Sequence, residues 1–320
     1  MTLGAIRIRE ADRGDPDLEA VVAIVNATTP DEPNSVDNLR WENATYPGAA
    51  RFIAERDGVP VGAATVGRIY MFPIDFDGLW ATLNVLPDAR RLGIGSRLLE
   101  GVSSRARAAG KTALHVPASE ARPDSIAFLA RRGFVEYERS KIVRLDLADL
   151  APPPIDPPPG VALTTLADQP DLVVGVHAVA VEAFADIPGC GEPIATGDLD
   201  EFIAREVGRP SIPSDAFMVA VETDGGRVIG YASLIMIPGQ ARAAWHDMTA
   251  VVRAWRGRGL AGALKRATIG WAIANGLDTL ETGNDVDNAA MRAVNARLGY
   301  RPVADRLVLR GPLFSGIIDG

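Results

Sequence analysis

Two six-residue segments, Arg90-Arg91-Leu92-Gly93-Ile94-Gly95 and Arg256-Gly257-Arg258-Gly259-Leu260-Ala261, set glycines beside arginines where an apolar strand gives way to an amphipathic helix. That combination suits an anion. The first turn of a helix has backbone N–H groups without intrahelical partners and carries the positive end of the helix dipole. Gly93, Gly95, Gly257 and Gly259 have no side chain to hold a phosphate away from those N–H groups, and flanking arginines add charge-assisted contacts. Basic residues cluster at the same places: Arg253, Arg256, Arg258, Lys265 and Arg266 in one segment, Arg90, Arg91 and Arg97 in the other. Such runs are usually solvated helix faces, but their coincidence with glycine turns points to an anionic ligand.

Other chemistries fit less well. Gly257, Gly259 and Gly262 spell the dinucleotide pattern Gly-x-Gly-x-x-Gly, with Asp278 about 20 residues on. The pattern comes too late in its half for a doubly wound sheet, the other copy has Leu98 at the third glycine, and Arg253, Trp255 and Arg256 are no apolar strand end. A Walker phosphate loop fails because no Gly-Lys-[Ser/Thr] follows. His115, His177 and His246 lack metal-type spacing, so no metal site is expected, and each reads as structural, with His246 closest to the candidate chemistry. Cys190 reads as incidental, and neither Ser96 nor Thr249 has a triad around it.

The elements that must position these segments occur twice. In the first half, apolar alternation and turn residues predict strands at 6–9, 51–55, 59–66, 79–86 and 112–116, and helices around 18–26, after the glycine loop, and at 125–132. The second half repeats the order: strands at 161–165, 217–222, 228–237, 245–252 and 279–282, helices at 172–184, after the loop, and at 288–298. PPPIDPPP (152–159) separates the halves as a semi-rigid spacer. The expected organisation is a domain over 1–150, a proline-rich linker over 151–160 and a second domain over 161–320.

The pattern [Gln/Arg]-x-x-Gly-x-[Gly/Ala], twice in this setting, resembles the signature of the GNAT acyltransferase superfamily. NDVDNAAMRAVNARLGYRPV (284–303) also resembles the family's downstream helix, with a looser counterpart in DSIAFLARRGF (124–134). The resemblance implies an α/β (α+β) fold: two acyl-CoA N-acyltransferase domains, each a mixed, mostly antiparallel sheet flanked by helices and splayed at strands 79–86 and 245–252. It implies acetyl-CoA as co-substrate and direct attack by an amine in a ternary complex. The coenzyme residues it implies are Ala250, Val251, Val252, Arg256, Gly257, Arg258, Gly259, Leu260, Ala261 and Asn288 in the second half. In the first half they are Val85, Arg90, Arg91, Gly93, Ile94, Gly95 and Ser96. Within these, backbone N–H groups near Val85–Leu86 and Ala250–Val252 would polarise the thioester carbonyl.

The second half is expected to be the working copy. An attacking alkylamine, with a pKa of about 10.4, needs a base at neutral pH. Alternation places Trp245, Asp247 and Thr249 on one face, and the resemblance makes Asp247 that base; the alternative is a structural Asp247 capping a bulge or pairing with an arginine. The first half shows Leu79, Ala81 and Leu83 in that row. Many relatives carry a Tyr four residues before the Gly-aromatic pair as acid toward the coenzyme thiolate; here Asn295 stands there, able to donate a hydrogen bond but not a proton, and Leu129 stands there in the first half. A mycothiol-synthase-like tandem acetyltransferase and a non-catalytic coenzyme A binding module are the other functional readings.

Composition narrows the partners. The net charge of −8, with neither half basic, argues against nucleic acid. No apolar run reaches a membrane span, and the charged N-terminal segment implies no export signal and a cytoplasmic protein. One cysteine excludes an internal disulfide. A small-molecule amine is the expected acceptor, attracted by Asp186, Glu192, Asp198, Asp200 and Glu201, though a plain solvated surface explains those acids equally well.

Overall fold

The chain opens with strand β1 (Ile6–Glu10), and the next helix shows how closely local sequence dictates local structure. Helix α1 (Asp15–Thr28) begins with a proline in its first turn, has Asp15 and Asp17 at its positive end, and buries Leu18, Val21 and Ile24. There follow α2 (Val36–Thr45), capped by Ser35, then β2 (Ala50–Arg56) and β3 (Val59–Arg68). β2 and β3 are joined at Asp57 (φ 53°) and Gly58 (φ 80°), the two left-handed residues of a tight hairpin turn. β4 (Leu79–Val85), α3 (Ile94–Ala108), β5 (Ala113–Ser119), α4 (Pro123–Ala130) and β6 (Val135–Asp146) complete this run. The second run is β7 (Val161–Thr165), α5 (Val173–Phe184), α6 (Leu199–Phe202), β8 (Met218–Glu222), β9 (Val228–Met236) and β10 (Ala243–Val251). It continues with α7 (Leu260–Ala274), β11 (Thr279–Asp285), α8 (Ala289–Arg297), β12 (Arg301–Pro302) and β13 (Arg306–Pro312). The computed structural model describes residues 5–187 and 194–316, so Cys190 and Glu192 lie outside the described residues.

Two compact units result, and neither is a contiguous half. Among the described residues the first comprises 5–70, 74–139 and 305–316, and the second 71–73 and 140–304. In the first unit the strands run β1-β2-β3-β4-β5-β13. All neighbours are antiparallel except β4 and β5. In the second unit the order is β7-β8-β9-β10-β11 and then residues 140–146 of β6, with β10 and β11 the parallel pair. Each sheet therefore takes its last strand from beyond the expected boundary at 151–160. That proline-rich stretch has no regular structure and lies on α7, where Arg266 donates to the Asp156 carbonyl at 3.5 Å.

Both sheets splay at the expected strand. The β4–β5 ladder ends after Leu79 and Trp80, and the β10–β11 ladder after Ala243, Ala244 and Trp245. Beyond those residues each pair diverges and leaves an unpaired backbone edge. One helix crosses beneath: α3 buries Ile94, Leu98 and Val102, and α7 buries Leu260, Leu264 and Ala267. A glycine makes that approach possible in each unit. A Cβ on Gly62 would lie 3.1 Å from Leu98 and from the Asn84 carbonyl, and one on Gly230 would lie 2.9 Å from the Ala250 carbonyl. Among the described residues no helix is long and apolar enough to cross a membrane.

Candidate active site

The two glycine loops follow the same path. A single 3₁₀ turn, Pro87–Ala89 or Arg253–Trp255, leaves the strand, and a left-handed glycine, Gly93 (φ 79°) or Gly259 (φ 86°), caps the helix. A Cβ built on Gly93, Gly257 or Gly259 meets nothing within 4 Å, so the space above each loop is open. Gly95 differs: a Cβ there would lie 3.2 Å from the Phe128 ring, so this glycine serves packing instead. Intrahelical bonding starts with Arg97 N–H to the Gly93 carbonyl and Ala263 N–H to the Gly259 carbonyl. The N–H groups of 94–96 and 260–262 therefore have no intrahelical acceptor, the arrangement an anion requires.

The arginines act differently from the expectation. Arg90 Nε donates to the Val85 carbonyl at 3.1 Å and Arg256 Nε to the Val251 carbonyl at 3.0 Å, each tying its loop back to the strand it left. Arg253 and Arg256 both pair with Asp186 at 2.7 Å, and together they hold its carboxyl down at about 2. Asp186 is thus spent on the loop. Asp198 caps α6 and Glu201 faces Arg205 at 3.8 Å, so three of the acids assigned to acceptor attraction are engaged locally. Arg258 lies over Trp255, 4.9 Å from the ring. Ser96 Oγ accepts from Arg132 at 2.6 Å. Lys265 is no surface cation at all; it is 1% exposed beneath the sheet.

Backbone alternation narrows the thioester edge. Val252 N–H donates to the Ile229 carbonyl at 3.0 Å, so it points toward β9 and away from the fork. Val251 faces the opposite way, consistent with its carbonyl receiving Arg256, and its N–H points into the fork. The same alternation in the first unit, with Leu86 N–H on the Val61 carbonyl, selects Val85.

The strands then diverge in character. Along β10, His246 opposes Leu234 and Thr249 opposes Ala232, so Asp247 and Met248 together oppose Ser233. This is a β-bulge. It breaks the expected row of Trp245, Asp247 and Thr249: the extra residue turns Thr249 to the side of His246, with Thr249 Oγ1 3.5 Å from His246 Nε2. The matching ladder of the first unit runs unbroken from Gly62 opposite Val85 to Arg68 opposite Leu79.

Asp247 lies close enough for its charge to act on Glu206, which sits in a π-helical turn, Ile203–Val207, closed by Gly208 N–H on the Ile203 carbonyl at 2.7 Å. Such turns are rare and are found frequently at functional sites. Both carboxylates keep some contact with solvent, yet protein encloses them closely enough that burial dominates their titration. Burial first, and then the charge of Asp247, push Glu206 up to about 7 against the opposing pull of Arg205 and Arg209. Asp247 is also raised by burial, opposed by hydrogen bonds from Met248 N–H and Ser233 and by Arg209. Both carboxylates therefore take up protons at higher pH than solvated ones, and the ionisation of Asp247 makes that of Glu206 harder. Nothing in the sequence pairs Glu206 with a residue 41 positions later, because the π turn carries no composition signal.

Asn295 is 1% exposed; its amide nitrogen donates to Asn284 at 2.7 Å, and its Oδ1 has no partner. Asn288 caps α8 by accepting from Met291 N–H at 3.2 Å. His115 is buried against Phe76 and Tyr137, and His177 Nε2 lies 3.1 Å from the Gly197 carbonyl. Among the described residues no group of three or more His, Cys, Asp or Glu side chains could hold a metal.

A sequence profile of the acetyltransferase (GNAT) family matches the chain twice, at residues 18–134 and 182–300. The chain belongs to that family. It is a GNAT N-acetyltransferase of the tandem type, built as two copies of the fold. A mycothiol acetyltransferase of Clavibacter michiganensis subsp. michiganensis is 31% identical over 266 residues, covering 81% of this chain and 79% of that protein. One from Catenulispora acidiphila is 29% identical over 184 residues, covering 57% of this chain and 55% of that one. Among solved structures, a tandem GNAT protein from the clavulanic acid biosynthesis pathway superposes with a TM-score of 0.76 at 20% identity, over 98% of this chain and all (100%) of that one. A GCN5-related N-acetyltransferase from Sphaerobacter thermophilus gives 0.70 at 17% identity, over 98% and 97%. Members of this family draw on acetyl-CoA as donor.

Proposed function

We propose that the second unit of this GNAT acetyltransferase moves an acetyl group from acetyl-CoA to a small amine, with Asp247 and Glu206 as a shared general base. The observation that carries this is Asp247 at the bulge of β10, on the strand that forms the fork, with its charge acting on Glu206. The pyrophosphate sits on the N–H groups of 257–262, and the thioester lies in the fork with its carbonyl toward Val251 N–H. A cationic amine is drawn to the anionic pair and gives up its proton there. The free amine then attacks, and the thiolate departs near Asn295, which can donate a hydrogen bond to sulfur. The first unit supplies no such base, since Thr82 stands at the register position of Asp247, between Ala81 and Leu83, and we assign it a non-catalytic role. The mycothiol acetyltransferases among the relatives support a small-molecule acceptor, and the amine of a mycothiol precursor is the first to assay.

Asp247→Asn and Glu206→Gln test the pair. Each should lower kcat/KM for the amine by about a hundredfold or more, with coenzyme affinity nearly intact. In the unaltered enzyme kcat/KM should rise with pH through the upper titration of the pair, near 7. Removing Asp247 also removes the charge that raises Glu206, so the acid limb of the residual activity should move to lower pH. Pre-steady and steady-state pH profiles that coincide for all three proteins would remove the pair from the mechanism.

A further inference from the structure

Beneath the fork of the second unit lies a buried polar group that the proposed reaction has not used. His246 follows Trp245, the last residue of β10 paired with β11. Its Nδ1 is 3.1 Å from the Tyr300 hydroxyl, and its Nε2 is 3.3 Å from Thr268 Oγ1 and 3.5 Å from Thr249 Oγ1. Thr249 is only partly buried, so this set reaches the divergent edge. Lys265, one helical turn beyond the coenzyme loop, points up from α7 into the same set, its ammonium 5.4 Å from the centre of the Tyr300 ring. The groups facing it are His246 from β10, Tyr300 from behind α8 and Thr268 on its own helix. Burial alone brings Lys265 down to about 7, and no carboxylate among the described residues counters that. The positive charge of Lys265 and burial keep His246 neutral.

The first unit shows that the fold needs none of this. Matched through the helix caps and strand registers, Lys265 and Thr268 correspond to Leu99 and Val102, His246 to Ala81, Thr249 to Leu83, and Tyr300 to Phe134. Leu99, Val102, Ala81 and Phe134 form part of an ordinary apolar core. An unpaired buried ammonium is unfavourable, and apolar residues of similar volume are the stabler choice. Its presence only under the fork that has the carboxylate pair calls for a reason in the chemistry.

We infer that Lys265 is a positioning residue whose ammonium, held beneath the fork by Tyr300, Thr268 and His246, stabilises the coenzyme thiolate as it leaves. The inference rests on the proposed reaction in the second unit. In that step the C–N bond forms, the C–S bond breaks with its electron pair passing to sulfur, and the second amine proton goes to the Asp247–Glu206 pair, which has by then released the first to solvent. No proton needs to reach sulfur in the same step, which suits a chain with Asn295 at the place of an acid. The ammonium keeps its own proton, and the developing negative charge favours that state.

Lys265→Met keeps the volume and removes the charge. The variant should be at least as stable to heat as the unaltered chain, with the gain largest below about pH 7 and fading toward 10.5, because the folded chain binds Lys265's proton less tightly than the unfolded one. Its turnover should fall about tenfold or more while KM for acetyl-CoA stays put. The deciding readout is the ionisation of bound coenzyme A, followed by thiolate absorbance. On the unaltered enzyme part of the bound thiol should ionise at lower pH than on Lys265→Met, the thiolate in turn holding the Lys265 proton above about 7; the first unit's contribution is common to both and cancels. Identical thiol titrations with coenzyme bound would overturn the role of Lys265 while leaving the site assignment standing. Calorimetry showing that Gly259→Val does not alter coenzyme binding would instead contradict the site, and this inference with it.

Discussion

A carboxylate that is hard to ionise marks a place where the fold has given up stability. Glu206 titrates at about 7 in the folded chain against 4.5 in the ordinary case. Between those values the folded chain holds more proton than the unfolded one, so stability falls as pH rises through that window. Glu206→Gln should therefore raise the thermal midpoint at roughly pH 8 and leave it nearly unchanged at pH 4. Thermal scans in which Glu206→Gln gains nothing at pH 8 would mean that Glu206 is well solvated and that Asp247 does not act on it as described. Asp247 itself was legible from the sequence because it stands on the strand that enters the glycine loop. Its partner was not. Glu206 comes from an irregular turn far off in the chain, and Lys265 looked like one more loop cation until helix phase placed it on the buried face of α7.

At the scale of elements, the sequence marks the strand–loop–helix units well because the physics there is local. Apolar spacing places α3 and α7 directly after the glycine loops, and left-handed Gly110 and Gly276 stand two residues past their observed ends. The bulge in β10 was invisible for the opposite reason. It depends on the register against β9, and a strict alternation of side chains predicts the wrong face for Thr249. The short α2 and α6, and the π turn after α6, also escaped, having weak apolar periodicity. The loop arginine tests this level. Arg256 ties the loop to Val251 through Nε and to Asp186 through Nη1, a fork that lysine lacks. Arg256→Lys should weaken acetyl-CoA binding several-fold by calorimetry with little loss of overall stability, since the side chain is partly exposed. Full affinity in that variant would show that the loop holds its shape without the brace.

For the whole molecule, duplication was plain from the repeated order of elements, whereas the membership of the last strands was not. Residues 140–146 and 306–312 each complete a sheet outside their expected domain, a matter of long-range pairing that composition and a proline-rich boundary do not encode. Duplication also makes the molecule its own control: two loops of one design, one unit with Thr82 and Leu99 where the other has Asp247 and Lys265. The claim that the second copy alone carries out the reaction is tested most directly by acetyl transfer from acetyl-CoA to an amine in two matched variants. Gly259→Val forces a branched side chain into a left-handed cap and into the open space above the second loop, and Gly93→Val does the same to the first. Turnover should be lost in Gly259→Val and largely kept in Gly93→Val. Loss in Gly93→Val with full activity in Gly259→Val would place the working site in the other copy and contradict the account.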